Sequence, residues 1–184
     1  YLSKQMAIKI HYKKINLPFQ FPFSISGGRT KTHQPSLIVA IQLSNWIGYG
    51  EAPAIVYYNI TVEQMIADIE KHKSVIEKFA FTEPERWWHF LHHLFPDNPF
   101  LVCALDIAGW DLAGKMEKKL LYELWNTKWE NTPLTDYTIG IDTIEKMVEK
   151  MNAKPWPIYK IKLGTTEDIE IMKSLRKHTN AIFR

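Results

Sequence analysis

The sequence of 184 residues has one cysteine, no long apolar run and little excess of either charge. Cys103 has no partner in the chain, which excludes an internal disulfide framework, a CxxC pair and zinc-finger spacing. No stretch approaches the roughly 18 uncharged apolar residues of a membrane span, and the first residues lack a signal-peptide pattern. We therefore expect a soluble protein in the reducing cytoplasm, with no membrane partner.

The charge pattern and the missing cofactor motifs exclude two more classes. Lysine and arginine number 23 against 20 aspartates and glutamates, and the basic residues are scattered instead of gathered on one stripe. We therefore expect no nucleic-acid partner. The sequence contains no strand-linked GxGxxG motif, which would indicate a dinucleotide cofactor. The 46% apolar content is enough for a buried core.

The first part of the chain has the patterns of strands followed by helices. Residues 7–17, 36–43 and 47–51 predict a three-stranded antiparallel meander. Pro18 to Pro35, rich in aromatic residues and glycine, predicts a long functional loop between the first two strands. Later helices are indicated by pairs typical of a capping box, Thr61 with Gln64 and Thr82 with Glu85, and by an apolar periodicity over residues 99–116.

From residue 132 the rhythm becomes strand, helix, strand, helix, strand, with the strands near residues 137–141, 158–163 and 181–184. This alternation predicts parallel βαβ units. We expect an α+β domain over residues 1–130 and the start of a (β/α) barrel over residues 131–184. An eight-stranded barrel needs roughly 250 residues, so we expect the barrel to be truncated.

The most informative segment is the strand that contains Lys160 and Lys162. Side chains two residues apart on a strand share a face, so the two ammonium groups stand together, away from Tyr159 and Ile161. Repulsion between them favours the neutral form that a general base needs, and Gly164 puts them near the carboxyl end of the strand, where barrel enzymes have their sites. The alternative is a pair of surface lysines on an edge strand.

Two further motifs occur with this strand in a characteristic order. GYGEAP spans residues 48–53 and ALDIAGWDLAGK spans residues 104–115. Together with the KxK strand they resemble the muconate-lactonizing branch of the enolase superfamily. Within that branch, TDYTIGI at residues 135–141 looks like the dipeptide epimerases.

The resemblance implies an enolase-like fold, an α+β capping domain followed by the first strands of a modified (β/α)8, TIM-type barrel. It implies that Lys162 takes the α-proton of a dipeptide on one face, and that Lys160 supports it and lies near the substrate carboxylate. It also implies Mg²⁺, which stabilises the enediolate formed next to the carboxylate. The acidic metal ligands and a second lysine base are expected beyond Arg184, so no metal ligand is predicted within this chain.

The resemblance also indicates residues that contact the substrate. Thr138 matches a threonine of the epimerase pattern, and Arg29 matches, after a one-residue insertion, an arginine directed at an acidic substrate side chain. In this family substrate specificity depends on two capping-domain loops, which correspond here to about residues 18–35 and 52–59. Their aromatic and aliphatic residues favour a pocket for a hydrophobic dipeptide: Phe19, Phe21, Phe23, Ile55, Tyr57 and Tyr58.

Other functions stay open at this point. An o-succinylbenzoate synthase, an N-acylamino acid racemase or a muconate cycloisomerase of the same branch would share these motifs. A non-catalytic binding module is the alternative of another class, if the polypeptide ends at residue 184. The sequence leaves open the dipeptide, the epimer and whether the protein forms a homo-oligomer.

Overall fold

The computed structural model describes residues 7–25 and 28–184, apart from the side chains of Ile25, Arg29 and Asn131. Within these ranges no helix combines the length and the apolar character that a membrane crossing requires.

The described chain forms two compact units. The first contains the described residues up to Leu17 together with Gln34–Glu130, and the second contains Pro18–His33 together with Asn131–Arg184. The segment Pro18–His33, which the sequence analysis groups with residues 1–130, therefore makes its contacts in the unit that contains the later βα elements.

A three-stranded sheet begins the chain, with β1 at Lys9–Ile25, β2 at Arg29–Leu43 and β3 at Trp46–Pro53. Its order is β1-β2-β3, and β2 pairs antiparallel with β3 in a register that sets Val39 opposite Gly50. This arrangement agrees with the predicted meander.

The predicted loop between the first two strands was wrong, because β1 continues to Ile25 and β2 already begins at Arg29. None of residues 18–24 is buried, and the same holds for residues 30–34. Strands without a buried face do not need alternating apolar and polar residues. The pattern that marks a strand was therefore missing from this part of the sequence.

The first unit continues with helices α1 at Val62–Ile76, α2 at Pro84–Leu94, α3 at Pro99–Glu117 and α4 at Leu121–Leu124, and with 3₁₀ turns at Val56–Tyr58 and Trp129–Asn131.

The two predicted capping boxes have different outcomes. Thr61 caps α1, because its hydroxyl accepts a hydrogen bond from the amide of Gln64 at 3.1 Å. The predicted cap at Thr82 was wrong: Glu83 occupies the cap position, makes no side-chain cap bond, and is followed by Pro84 at the start of α2. Proline fixes a helical φ and needs no amide partner, so this helix begins without the box.

The core of the first unit lies between the sheet and α3. Fully buried Trp87 donates a hydrogen bond from Nε1 to the carbonyl of Leu105 at 2.8 Å. Helix α3 comes so close to β3 that a Cβ added at Gly50 would lie 1.9 Å from the carbonyl oxygen of Ala104. Only glycine fits at this contact, which holds the helix directly against the strand.

The second unit is built from β4 at Tyr137–Ile139, α5 at Ile144–Ala153, β5 at Ile158–Ile161, α6 at Asp168–Arg176 and β6 at Ile182–Phe183. The three strands are parallel in the order β4-β5-β6. The βαβ units that the sequence predicted are therefore present.

Candidate active site

The parallel sheet of the second unit has one face packed against helices. Ile139, Tyr159 and Ile161 are buried in a cluster with Met147 of α5 and Ile171 of α6. Successive side chains of a strand point to opposite faces, so these buried residues determine the face on which their neighbours lie. The residues between them must therefore lie on the opposite face.

Lys160, Lys162 and Thr138 occupy that opposite face. Thr138 pairs with Lys160 across the β4–β5 ladder, and both side chains are exposed. The amide of Lys162 donates to the carbonyl of Ile139 at 3.0 Å, so this half-buried residue continues the ladder beyond the end of β5. The two-residue period of β5 and its pairing with β4 thus bring two amines and a hydroxyl to one face of the sheet.

A side chain that the sequence analysis missed fixes the turn after Lys162. Asp168 accepts hydrogen bonds from the amide of Gly164 at 2.9 Å and from the amide of Thr165 at 2.9 Å. These bonds from Thr165 and Gly164 hold the pKa of the Asp168 carboxyl below its ordinary value. Gly164 has a φ of 134°, in a region that favours glycine. The end of β5 is therefore clamped in one conformation.

A cavity of about 290 Å³ opens beside β4 within the same unit. Its lining combines three phenylalanine rings of β1 with residues of β4, of the position after β4 and of α5, namely Phe19, Phe21, Phe23, Tyr137, Thr138, Gly140 and Lys150. Phe19 and Phe23 pack edge to face with ring centroids 6.2 Å apart. The structure thus brings the predicted residues Phe19 and Thr138 to one cavity.

The segment that carries these rings is attached to the end of β4. The amide of Ile141 donates to the carbonyl of Ser24 at 3.1 Å. A Cβ added at Gly140 would lie 3.2 Å from a ring carbon of Phe23 and 3.3 Å from that same carbonyl oxygen. The glycine therefore lets the aromatic segment approach the strand closely.

Lys150 and Asp142 are charged residues near the cavity that the sequence analysis missed. The ammonium of Lys150 lies 2.9 Å from Oδ2 of Asp142, and 9% of the lysine side chain is exposed. Burial alone would raise the pKa of the Asp142 carboxyl, but hydrogen bonds from Lys150 and the Thr143 amide lower that pKa overall. One sequence signal existed, since Lys150 lies three residues after buried Met147 on α5.

The remaining residues that were predicted to contact the substrate are Tyr57, Tyr58 and Arg29. Tyr57 and Tyr58 belong to the first unit, where they are 76% and 61% exposed and pack edge to face on each other. Tyr58 also contacts the ring of Phe100, with centroids 5.7 Å apart. The side chain of Arg29 lies outside the described part of the chain, so the prediction made for it stays a prediction.

Magnesium binds oxygen ligands, mainly carboxylates. Among residues 7–25 and 28–184, no three histidine, cysteine, aspartate or glutamate side chains converge as a metal site would require.

The chain is similar to known enzymes along almost its whole length. No protein-family model matches the chain. The chain is 50% identical over 177 residues to an L-Ala-D/L-amino acid epimerase of Flavobacterium johnsoniae, a match that covers 96% of the chain and 52% of that relative. It therefore spans about half the length of this relative.

Solved structures give the same relationship. A substrate-liganded L-Ala-D/L-Glu epimerase from Bacillus subtilis matches with a TM-score of 0.84 and 25% identity, over 97% of this chain and 52% of that one. A dipeptide epimerase from Cytophaga hutchinsonii, complexed with Mg and D-Ala-L-Val, matches in fold with a TM-score of 0.83 and 24% identity, over 97% and 51%.

The fold is thus that of the enolase superfamily, an α+β capping domain followed by the first βα units of a barrel. Over almost its whole length the chain is similar to about half the length of the dipeptide epimerases that it matches.

Proposed function

We propose that the complete protein containing this chain is a dipeptide epimerase. One observation carries the proposal: Lys160 and Lys162 share the open face of the parallel sheet with Thr138, in a chain half identical to an L-Ala-D/L-amino acid epimerase. Two amines and a hydroxyl on one sheet face suit a substrate that has an acidic carbon next to a carboxylate.

Each of these side chains has a role in the proposed reaction. The amine of Lys162 takes the α-proton, and the electron pair of the broken C–H bond moves onto the adjacent carboxylate. The ammonium of Lys160 attracts that carboxylate, and the hydroxyl of Thr138 hydrogen-bonds the bound dipeptide. A second base on the opposite face, outside this chain, returns a proton and inverts the carbon.

Magnesium is part of the proposal, supported by its presence in the related Cytophaga hutchinsonii structure. When bound, it supplies positive charge that stabilises the negative charge formed on the substrate carboxylate. Because the described residues hold no metal cluster, its ligands would come from elsewhere in the complete protein.

We propose an apolar dipeptide as the substrate. Phe19, Phe21 and Phe23 line the cavity that Thr138 enters, and the charge of Lys150 in that lining is already paired with Asp142. The substrate contacts expected for Tyr57 and Tyr58, which are exposed in the first unit, stay predictions. A preference for acidic dipeptides would instead support the role expected for Arg29.

A cytoplasmic location completes the proposal, since the single cysteine provides no internal disulfide. Cell fractionation tests this location, and recovery of the protein outside the cytoplasmic fraction would contradict it.

The test of the reaction is proton exchange by the complete protein with magnesium. A library of Ala-Xaa and Xaa-Ala dipeptides is incubated in deuterated water, and incorporation of α-deuterium is read by mass spectrometry. We expect incorporation into a subset rich in apolar residues. Replacing Lys162 with alanine should abolish exchange from one epimer at least, whereas Lys173→Ala on the exposed surface of α6 should not change it.

The outcomes separate the alternatives. Unchanged exchange from both epimers in the Lys162 variant would remove the proposed base. No incorporation into any dipeptide, with the protein folded and magnesium bound, would favour the synthase, racemase or cycloisomerase members of the branch. A complete polypeptide that binds dipeptides but exchanges no proton would favour a binding module.

A further inference from the structure

The ammonium group of Lys150 is buried on the helix side of the cavity. Among the residues that the structure describes, the buried polar or charged ones are Ser36, Asn98 and Lys150, so the lysine alone carries a full charge. Burying an ammonium group is unfavourable unless it is paired and hydrogen-bonded. Its surroundings therefore need an explanation.

One partner of this ammonium group is a carboxylate that is itself fixed in place. Asp142 follows β4, and its Oδ1 accepts a hydrogen bond from the amide of Thr143, the cap residue of α5, at 3.0 Å. Its Oδ2 lies 2.9 Å from Nζ of Lys150. The lysine is thus held at a defined point between the strand end and the helix.

The other partner is an aromatic ring of the cavity. Nζ of Lys150 lies over the ring of Phe21, 5.6 Å from its centroid. A cation within about 6 Å of a ring centroid is attracted to the face of the ring, more strongly when water is excluded. Lys150 therefore connects the carboxylate after β4 to the aromatic segment of β1.

This contact with α5 adds to the contacts that the segment makes at the end of β4. One of those contacts is the backbone hydrogen bond from the amide of Ile141 to the carbonyl of Ser24. Phe23 lies between Phe21 and Ser24 in the chain and packs edge to face on Phe19. If the contact with Lys150 were lost, the three phenylalanine rings would still be apolar, but they would no longer be held in a fixed position relative to Thr138.

We propose that Lys150 is a positioning residue that sets substrate preference. Through its ion pair with Asp142 it fixes Phe21, and with it the aromatic wall of the cavity, without touching the reacting atoms. The meaning of that wall as a substrate surface rests on the proposed dipeptide epimerase function.

The same helix offers a matched control. Nζ of Lys146 lies 3.7 Å from Oδ1 of Asp142, but 63% of its side chain is exposed and it does not line the cavity. A lysine that only balances the charge of Asp142 would behave like Lys146. A lysine that positions the aromatic wall would not.

The experiment compares Lys150→Met with Lys146→Met in the complete protein. Methionine keeps an apolar stem and removes the charge. Amide hydrogen exchange without substrate should become about tenfold faster at Ile141 and across residues 18–24 in the first variant, and stay unchanged in the second. With apolar dipeptides, KM should rise about tenfold while kcat changes less than about threefold.

Two more variants keep the test decisive if removal of the buried charge disturbs folding. Phe21→Leu removes the ring and leaves the ion pair intact, and should accelerate exchange over the same segment. Lys150→Arg keeps a cation and should restore much of the exchange protection and of the substrate preference.

The proposal would be overturned if Lys150→Met and Lys146→Met gave the same exchange and the same KM. Faster exchange with unchanged KM and unchanged preference among dipeptides would also overturn it, because the wall would then not matter to the substrate. A wild-type protein inactive on every dipeptide would contradict the proposed function, and slow exchange at Ile141 in Lys150→Met would separately contradict the attachment.

Discussion

Thr138 and Lys160 are partners across two parallel strands, so a hydroxyl and an amine stand side by side, both exposed, on the sheet face opposite the buried cluster. Their neighbours in each strand are buried against α5 and α6. The pairing is therefore fixed by the packing of residues that have no part in the chemistry.

Replacing Thr138 with valine tests the hydroxyl. Valine keeps the β-branched shape, and the exposed position predicts a change in unfolding free energy within about 0.5 kcal/mol. We expect kcat/KM for the preferred dipeptide to fall by up to about tenfold, the usual value of one hydrogen bond. Steady-state kinetics of the complete protein measure this, with Thr135→Val as the control. If both variants had the same kinetics, the Thr138 side chain would contribute packing but no hydrogen bond to the substrate.

Asp168→Asn tests the clamp after Lys162. The folded-state pKa of Asp168 is lowered, so its bonds to Gly164 and Thr165 contribute stability above the unfolded pKa of about 3.9. That contribution is lost as the pH falls through the lower folded pKa. We expect the variant to melt below the wild type at pH 7, and the gap to narrow towards pH 3.

Thermal unfolding of both proteins across this pH range is the measurement. Glu167→Gln removes a neighbouring exposed carboxyl that makes no side-chain cap bond, and should change the melting temperature less. If the difference in melting temperature between wild type and Asp168→Asn grew as the pH was lowered, the prediction that ionised Asp168 stabilises the fold would be contradicted.

Trp87 and Trp88 are adjacent on α2 and should respond differently to substitution by phenylalanine. Trp87 is fully buried and bonded to the carbonyl of Leu105, whereas Trp88 is 37% exposed. We expect Trp87→Phe to lower the unfolding free energy by about 2 kcal/mol and Trp88→Phe by less than about 0.5 kcal/mol. Denaturant unfolding measures both. Similar losses would mean that the buried indole contributes little to the first unit.

Removal of magnesium tests where the metal is held. Chelation should abolish α-proton exchange in the complete protein, and added Mg²⁺ should restore it. The present chain alone should melt at the same temperature with and without Mg²⁺, since its described residues hold no metal cluster. A clear magnesium-dependent stabilisation of this chain would contradict the proposal that the ligands lie elsewhere.

The sequence was sufficient to predict the βαβ units and the shared face of Lys160 and Lys162. Both depend on periodicity, because buried Tyr159 and Ile161 alternate with the lysines. The three-stranded sheet of the first unit was predictable for the same reason.

The extension of β1 to Ile25 was not predictable from periodicity, because none of residues 18–24 is buried. The role of Lys150 was also hidden. Its partner Asp142 lies eight residues earlier, across the turn into α5, and its aromatic contact with Phe21 comes from a distant part of the chain. Such a pair depends on tertiary structure, which a local pattern does not reveal.

The burial of the Lys150 ammonium group has a consequence for the response to salt. Mobile ions screen exposed pairs over about 8 to 10 Å at physiological ionic strength, but they reach buried pairs poorly. The contact of Asp142 with exposed Lys146 should therefore weaken as salt is added, while its contact with Lys150 persists. The aromatic wall of the cavity should keep its position, and the protein its choice of substrate, across a wide range of ionic strength.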